Sequence, residues 1–148
     1  MRKALLIFAL LVSAAPSQAQ LPFLRKRDAP PQQPVLQGID ALRADFAAQA
    51  GGTTVYFGDR SATLGAPAKA ALALQAAWLR RHPEVVVSIE GYGDGGDTRD
   101  HALAVGAQRA AEARNYLMLL GVPAAQVSTT SWGNLRPGLG RAVTLLVR

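Results

Sequence analysis

The stretch that most constrains the fold lies between residues 84 and 121. "EVVVSIE" (84–90) alternates, with Val85, Val87 and Ile89 on one face and Val86, Ser88 and Glu90 on the other. That period of two is the mark of a strand covered on at least one side. A glycine-rich loop, "GYGDGG" (91–96), follows at once. Beyond it, residues 99–120 carry Leu103, Gly106, Ala110, Ala113, Leu117 and Leu120 as one helical stripe, and Gly121 stands where a helix C-terminus favours glycine. A one-faced strand feeding a one-faced helix has to bury both faces in a layered α/β structure.

The rest of the chain supplies the partners. "TTVYF" (53–57) is rich in β-branched and aromatic residues and predicts a first strand. Residues 67–81 predict a helix, with Leu72, Ala76 and Leu79 as its stripe and Leu74 and Trp78 beside it; Pro83 stops it. "VSTTSW" and "AVTLLV" predict two more strands around the turn-rich "GNLRPGLGR". The expected order is β-α-β-α-β-β, an α/β two-layer sandwich with helices packed on a mixed sheet, occupying residues 53–148. A short helix and connector (39–52) should precede it, where Ile39, Leu42 and Phe46 recur at helical spacing before Gly51 and Gly52.

Upstream of that helix the composition changes. Arg2 and Lys3, the apolar run "ALLIFALLV" and the small residues at Ser17 and Ala19 predict a signal peptide over residues 1–19, cut before Gln20. Residues 20–38 have linker composition, with Pro30, Pro31 and Pro34 and the basic triplet Arg25, Lys26 and Arg27, either a contact for an anionic surface or a solvated linker. Without Arg2 and Lys3, the 16 basic residues fall to 14 against 10 acidic ones, a net charge of +4. The charge is scattered, and no aromatic–basic interleaving points to nucleic acid. The signal peptide predicts export to the periplasm, with association with the outer membrane as a further expectation, and since the chain has no cysteine, a mature protein that is not a lipoprotein is expected.

The loop "GYGDGG" matches G-x-G-x-x-G at Gly91, Gly93 and Gly96. A nucleotide site is nevertheless not expected. Asp94, Asp97 and Asp100 would place three carboxylates where a pyrophosphate needs positive potential. Nor does their spacing match a calcium loop, so no metal and no cofactor is expected. Asp97 or Thr98 suits a helix N-cap and Asp100 its first turn. Asp94 is left without a structural role. Arg109 sits one position off the helical stripe, so the two can flank one crevice. Such a pair suits a zwitterionic ligand, and it equally suits a plain internal salt bridge. Catalysis finds no support: His82 and His101 sit at helix ends, the serines lie outside any nucleophile elbow, and the glutamates form no acid–base pair.

Four segments together carry a resemblance. "TTVYF…SATL", "AWLRRHPEVVVSIEGYGD", "QRAAEARNYLMLLGVPAAQVSTTSWGNLRP" and "GRAVTLLV" resemble the OmpA-like domain of OmpA, Pal and MotB C-terminal regions. The resemblance implies a non-catalytic domain that binds peptidoglycan in the Gram-negative envelope, with other envelope or outer-membrane proteins as possible partners. It implies that Asp94 and Arg109 grip a diaminopimelate-type group of the stem peptide. It places Arg141 at a further family arginine, and Tyr92 either faces the ligand or covers the end of the sheet. The chain departs from the family pattern at several positions. Tyr92 and Gly93 stand where histidine and threonine are usual, Ala102 replaces an asparagine, an arginine pair is reduced to Arg141 followed by Ala142, and the loop before the last strand is short. These departures favour the alternative, a divergent domain that has become a protein-interaction module of an envelope assembly.

Overall fold

The computed structural model describes residues 34–136 and 140–148. The expected signal peptide and the basic triplet lie outside the described residues. The elements run α1 (Pro34–Gln49), β1 (Thr54–Tyr56), α2 (Ala66–Arg81), β2 (Val87–Tyr92), α3 (Arg99–Leu119), a 3-10 turn (Ala124–Gln126), β3 (Val127–Gly133) and β4 (Arg141–Leu146). The order from β1 onward is the expected β-α-β-α-β-β. The first helix begins at Pro34, inside the proline-containing stretch, because proline is well suited to a helix's first turn.

The four strands form one sheet in the order β1-β4-β2-β3. β2 and β3 run parallel, with Val87 beside Val127 and Ile89 beside Thr129. A parallel pair needs a long crossover, and the 21-residue α3 supplies it. β4 then inserts antiparallel between β2 and β1, pairing Ile89 with Thr144 and Tyr56 with Arg141. Alternation along β2 and β4 sends Val87, Ile89, Ala142 and Leu146 into the core under the helices, joined there by Leu72, Trp78, Leu79, Ala113 and Leu117. The opposite face carries Tyr56 and Leu145, both exposed, with Ser88, Glu90 and Val143 half-buried.

α1 is fastened to this core rather than merely preceding it. Phe46 is fully buried and meets Trp78 edge-on at 5.0 Å. The Trp78 indole N–H donates to the Asp45 carboxylate at 2.7 Å, and Arg43 donates to the Leu146 carbonyl. Two buried amides tie the layers. Gln75 donates to the Gly52 carbonyl and accepts from the Thr144 hydroxyl, and Gln126 donates to the carbonyls of His82 and Val85, joining the end of α2 to the approach to β2. Buried polar groups are tolerated when paired in this way.

The glycines of "GYGDGG" belong to this packing. A Cβ on Gly91 would stand 1.9 Å from the Gly106 carbonyl oxygen of α3, and one on Gly93 would stand 2.4 Å from that of Ala102. The N-terminal half of α3 therefore lies backbone against backbone on the end of β2. The glycine spacing records where helix and strand touch.

Candidate functional site

Asp94 lies two residues beyond β2, and Arg109 reaches it from the third turn of α3. Thr98 caps that helix, its hydroxyl accepting from the His101 N–H, and Asp100 adds an acid to the first turn. Both favour a helix start and so fix the register that aims Arg109 at Asp94. The contact is two-pronged: Nη1 lies 3.0 Å from Oδ1 and Nη2 3.2 Å from Oδ2. Arg109 has no exposed surface, whereas the Asp94 side chain keeps 17% of its own.

The remaining donors of Arg109 go to backbone. Nε donates to the Ser61 carbonyl at 2.8 Å, Nη1 to the Tyr92 carbonyl at 2.8 Å, and Nη2 to the Gly58 carbonyl at 3.1 Å. A guanidinium has five N–H donors, and all five are occupied. The Phe57 ring lies 5.6 Å from the guanidinium carbon, a cation–π distance. Arg109 thus binds together the end of β2, the segment 57–61 after β1, and Asp94. From the same segment the Arg60 backbone N–H, held at a left-handed φ of 51°, donates to Asp94 Oδ2 at 3.0 Å.

These contacts hold the Asp94 carboxyl below the usual carboxylate range, chiefly through the hydrogen bond from Arg109. A carboxylate held down in the folded state stabilises it above its ordinary pKa of about 3.9, and that contribution disappears as pH falls through the folded value. Asp45, lowered first by the Trp78 indole, acts in the same direction. Urea midpoints measured against pH should therefore fall below about pH 4, and the fall should be shallower in Asp94→Asn.

Tyr92 and Arg141 lie in a different cluster. The backbone of Tyr92 serves Arg109, but its ring is 5% exposed and its hydroxyl donates to Glu90 at 2.9 Å. The Arg141 guanidinium stands 5.2 Å from that ring, and Arg141 pairs across the sheet with Tyr56. The two therefore meet on the face turned away from α3. The contributions that escaped sequence reasoning are the carbonyls of Gly58 and Ser61 and the N–H of Arg60. They are backbone groups, and no side-chain pattern announces them. Among the described residues no group of three or more His, Cys, Asp or Glu gathers as a metal site, and no helix is long and apolar enough to cross a membrane.

The chain is a two-layer α/β domain with a part-exposed carboxylate just past β2 locked to a buried arginine of α3. The chain belongs to the OmpA family, whose model matches residues 56–141. A peptidoglycan-associated lipoprotein of Agrobacterium fabrum is 40% identical over 86 residues, covering 58% of this chain and 49% of its own length. One from Pseudomonas aeruginosa is 37% identical over 99 residues, covering 67% of this chain and 58% of its own. The crystal structure of the peptidoglycan-associated lipoprotein from Burkholderia pseudomallei superposes with a TM-score of 0.62 at 31% identity, covering 65% of this chain and 91% of that one. The C-terminal domain of Helicobacter pylori MotB shares the fold, with a TM-score of 0.59 at 18% identity over 64% of this chain and 84% of its own.

The relatives correct one expectation. That the protein is not a lipoprotein was inferred from the lack of cysteine, yet the curated relatives from Agrobacterium fabrum, Brucella melitensis and Pseudomonas aeruginosa are all named lipoproteins. The chain spans about half the length of the first curated relatives it matches. A cysteine count over these 148 residues bears on these residues alone.

Proposed function

We propose that this domain binds peptidoglycan non-covalently in the cell envelope, by the ammonium and carboxylate of a diaminopimelate-type group in the stem peptide. The observation that carries the reading is the Asp94–Arg109 pair, a part-exposed carboxylate held by a fully buried guanidinium. Membership of the OmpA family and relatives named for peptidoglycan association support it. Asp94 offers its exposed edge to an ammonium, and its charge is preserved to low pH by Arg109. Arg109 holds that carboxylate and the 57–61 segment in place. A ligand carboxylate reaches the guanidinium itself only by displacing the carbonyl of Gly58 or Ser61.

The wild-type chain is expected to pellet with purified sacculi and to be released by free diaminopimelate. Asp94→Asn, assayed where circular dichroism shows it folded, is expected to stay in the supernatant. Pelleting that is indifferent to both the competitor and the variant would overturn the reading. One observation favours a second reading, a protein-interaction module: every donor of Arg109 is already used within the protein. Absence of sacculus binding together with one envelope protein captured stoichiometrically from extract would select it.

A further inference from the structure

Beside the Asp94–Arg109 pair, on the other side of the Arg60–Ser61 backbone, an open groove of about 860 Å³ runs between the start of α2 and the outer face of α3. Arg60 and Lys69 stand on one wall, Glu112 and Asn115 on the other, and Tyr116 and Leu119 toward its far end. Leu119 is 78% exposed and puts an apolar side chain at that end of the groove. The described ion pairs of this domain involve Arg43, His82, His101 and Arg109, and none includes Arg60, Lys69 or Glu112. Lys69 and Glu112 thus line one cleft without an ion pair between them, and Arg60, whose charge also acts on Asp94, lines it beside them. The volume falls within the range of sites for small ligands.

The geometry points to this groove as a second subsite, one that takes the acidic part of a peptide whose ammonium-bearing residue sits on Asp94. The inference rests on the reading of Asp94 just given. Arg60 links the two places: its backbone N–H holds Asp94, and its residue lines the groove. A peptide carboxylate meets Arg60 and Lys69, peptide N–H groups meet Glu112 and the Asn115 amide, and small apolar side chains cover Tyr116 and Leu119. Each is a complementary pairing, and the charge-assisted ones are the strong ones. A single amino acid fills only the Asp94 end, so an acidic peptide gains contacts that the free amino acid lacks.

The test compares two probes on the full chain by calorimetric titration: free diaminopimelate, and the tripeptide alanyl-γ-glutamyl-diaminopimelate, which adds the free carboxylate of its glutamyl residue. The tripeptide is expected to bind at least about tenfold more tightly than the free amino acid, the scale of one charge-assisted contact. Lys69→Glu, a substitution on an exposed helix position, should erase most of that advantage while leaving the affinity for free diaminopimelate unchanged. Asp94→Asn should weaken both probes alike. Equal affinities for the two probes, or an advantage that survives Lys69→Glu, overturns the groove while the Asp94 reading stands. Failure of the wild type to bind either probe overturns both.

Discussion

Arg109→Ala is expected to remove about 3–5 kcal/mol of unfolding free energy, the scale seen when one partner of a buried ion pair is deleted. The loss follows from what the guanidinium holds. Its removal leaves the Asp94 carboxylate facing a cavity and takes a donor from the carbonyls of Ser61 and Tyr92, while the Gly58 carbonyl keeps the Ser61 N–H. Each buried acceptor left without a donor costs about 1–3 kcal/mol before relaxation and water entry. Arg109→Lys should rescue little of it. An ammonium has three donors at one point, whereas the five acceptors here surround a planar fork. Urea denaturation of the three proteins decides the matter. A loss below about 1 kcal/mol in Arg109→Ala would mean that the buried pair adds little beyond an exposed one.

Gly91→Ala is the second large effect expected, about 3 kcal/mol or more, at or beyond the upper end of overpacking costs. A single methyl there meets the Gly106 carbonyl oxygen at 1.9 Å, the Gly106 carbonyl carbon at 2.8 Å and the Ala110 methyl at 3.0 Å. Two of these are backbone atoms in the middle of α3, so no side chain can turn aside. The helix has to lift from the sheet, and Arg109, one turn further on, lifts with it. The matched control lies in the same loop: a Cβ on Gly96 meets nothing within 4 Å, and Gly96→Ala should stay within about 0.5 kcal/mol of wild type. Urea midpoints and amide exchange of α3 compare the two. Equal behaviour of the variants would show that the close approach is not maintained in solution.

Gly91 also shows how a motif and its cause can part company. The letters G-x-G-x-x-G were legible, and the three aspartates were enough to set a phosphate aside. That Gly91 and Gly93 are glycines because α3 touches β2 was not legible, since Gly106 and Ala102 lie too far along the chain for any local pattern to join them. The same contact gives a physical reason for one departure from the family pattern, Gly93. Gly93 and Ala102 lie against each other, and a threonine at residue 93 would drive its Cβ into the backbone of α3.

The element order from β1 to β4, a cap at Asp97 or Thr98 and the closeness of Asp94 and Arg109 could all be read beforehand. They rest on local periodicity, on capping chemistry and on two charges brought close by a strand and the helix that follows it. Two features of the helices could not. Leu74 stands beside the apolar stripe of α2 yet is 51% exposed, because the reach of each neighbouring layer decides where a stripe ends. Ile39, Leu42 and Phe46 gave a spacing for α1, but not the joint hold of Phe46 and Asp45 on Trp78, which needs two helices side by side.

By itself, then, the sequence determined the layered α/β class and the identity of the two charges at the end of β2, because both are written in short-range pattern. Only the tertiary structure decided how those charges are used. The donors and acceptors that complete the site are main-chain groups of the 57–61 segment and of Tyr92, and every residue carries such groups. Folding alone selects which of them surround Arg109, leaving Asp94 one open edge and bringing Lys69 and Glu112 to line one groove beyond Arg60.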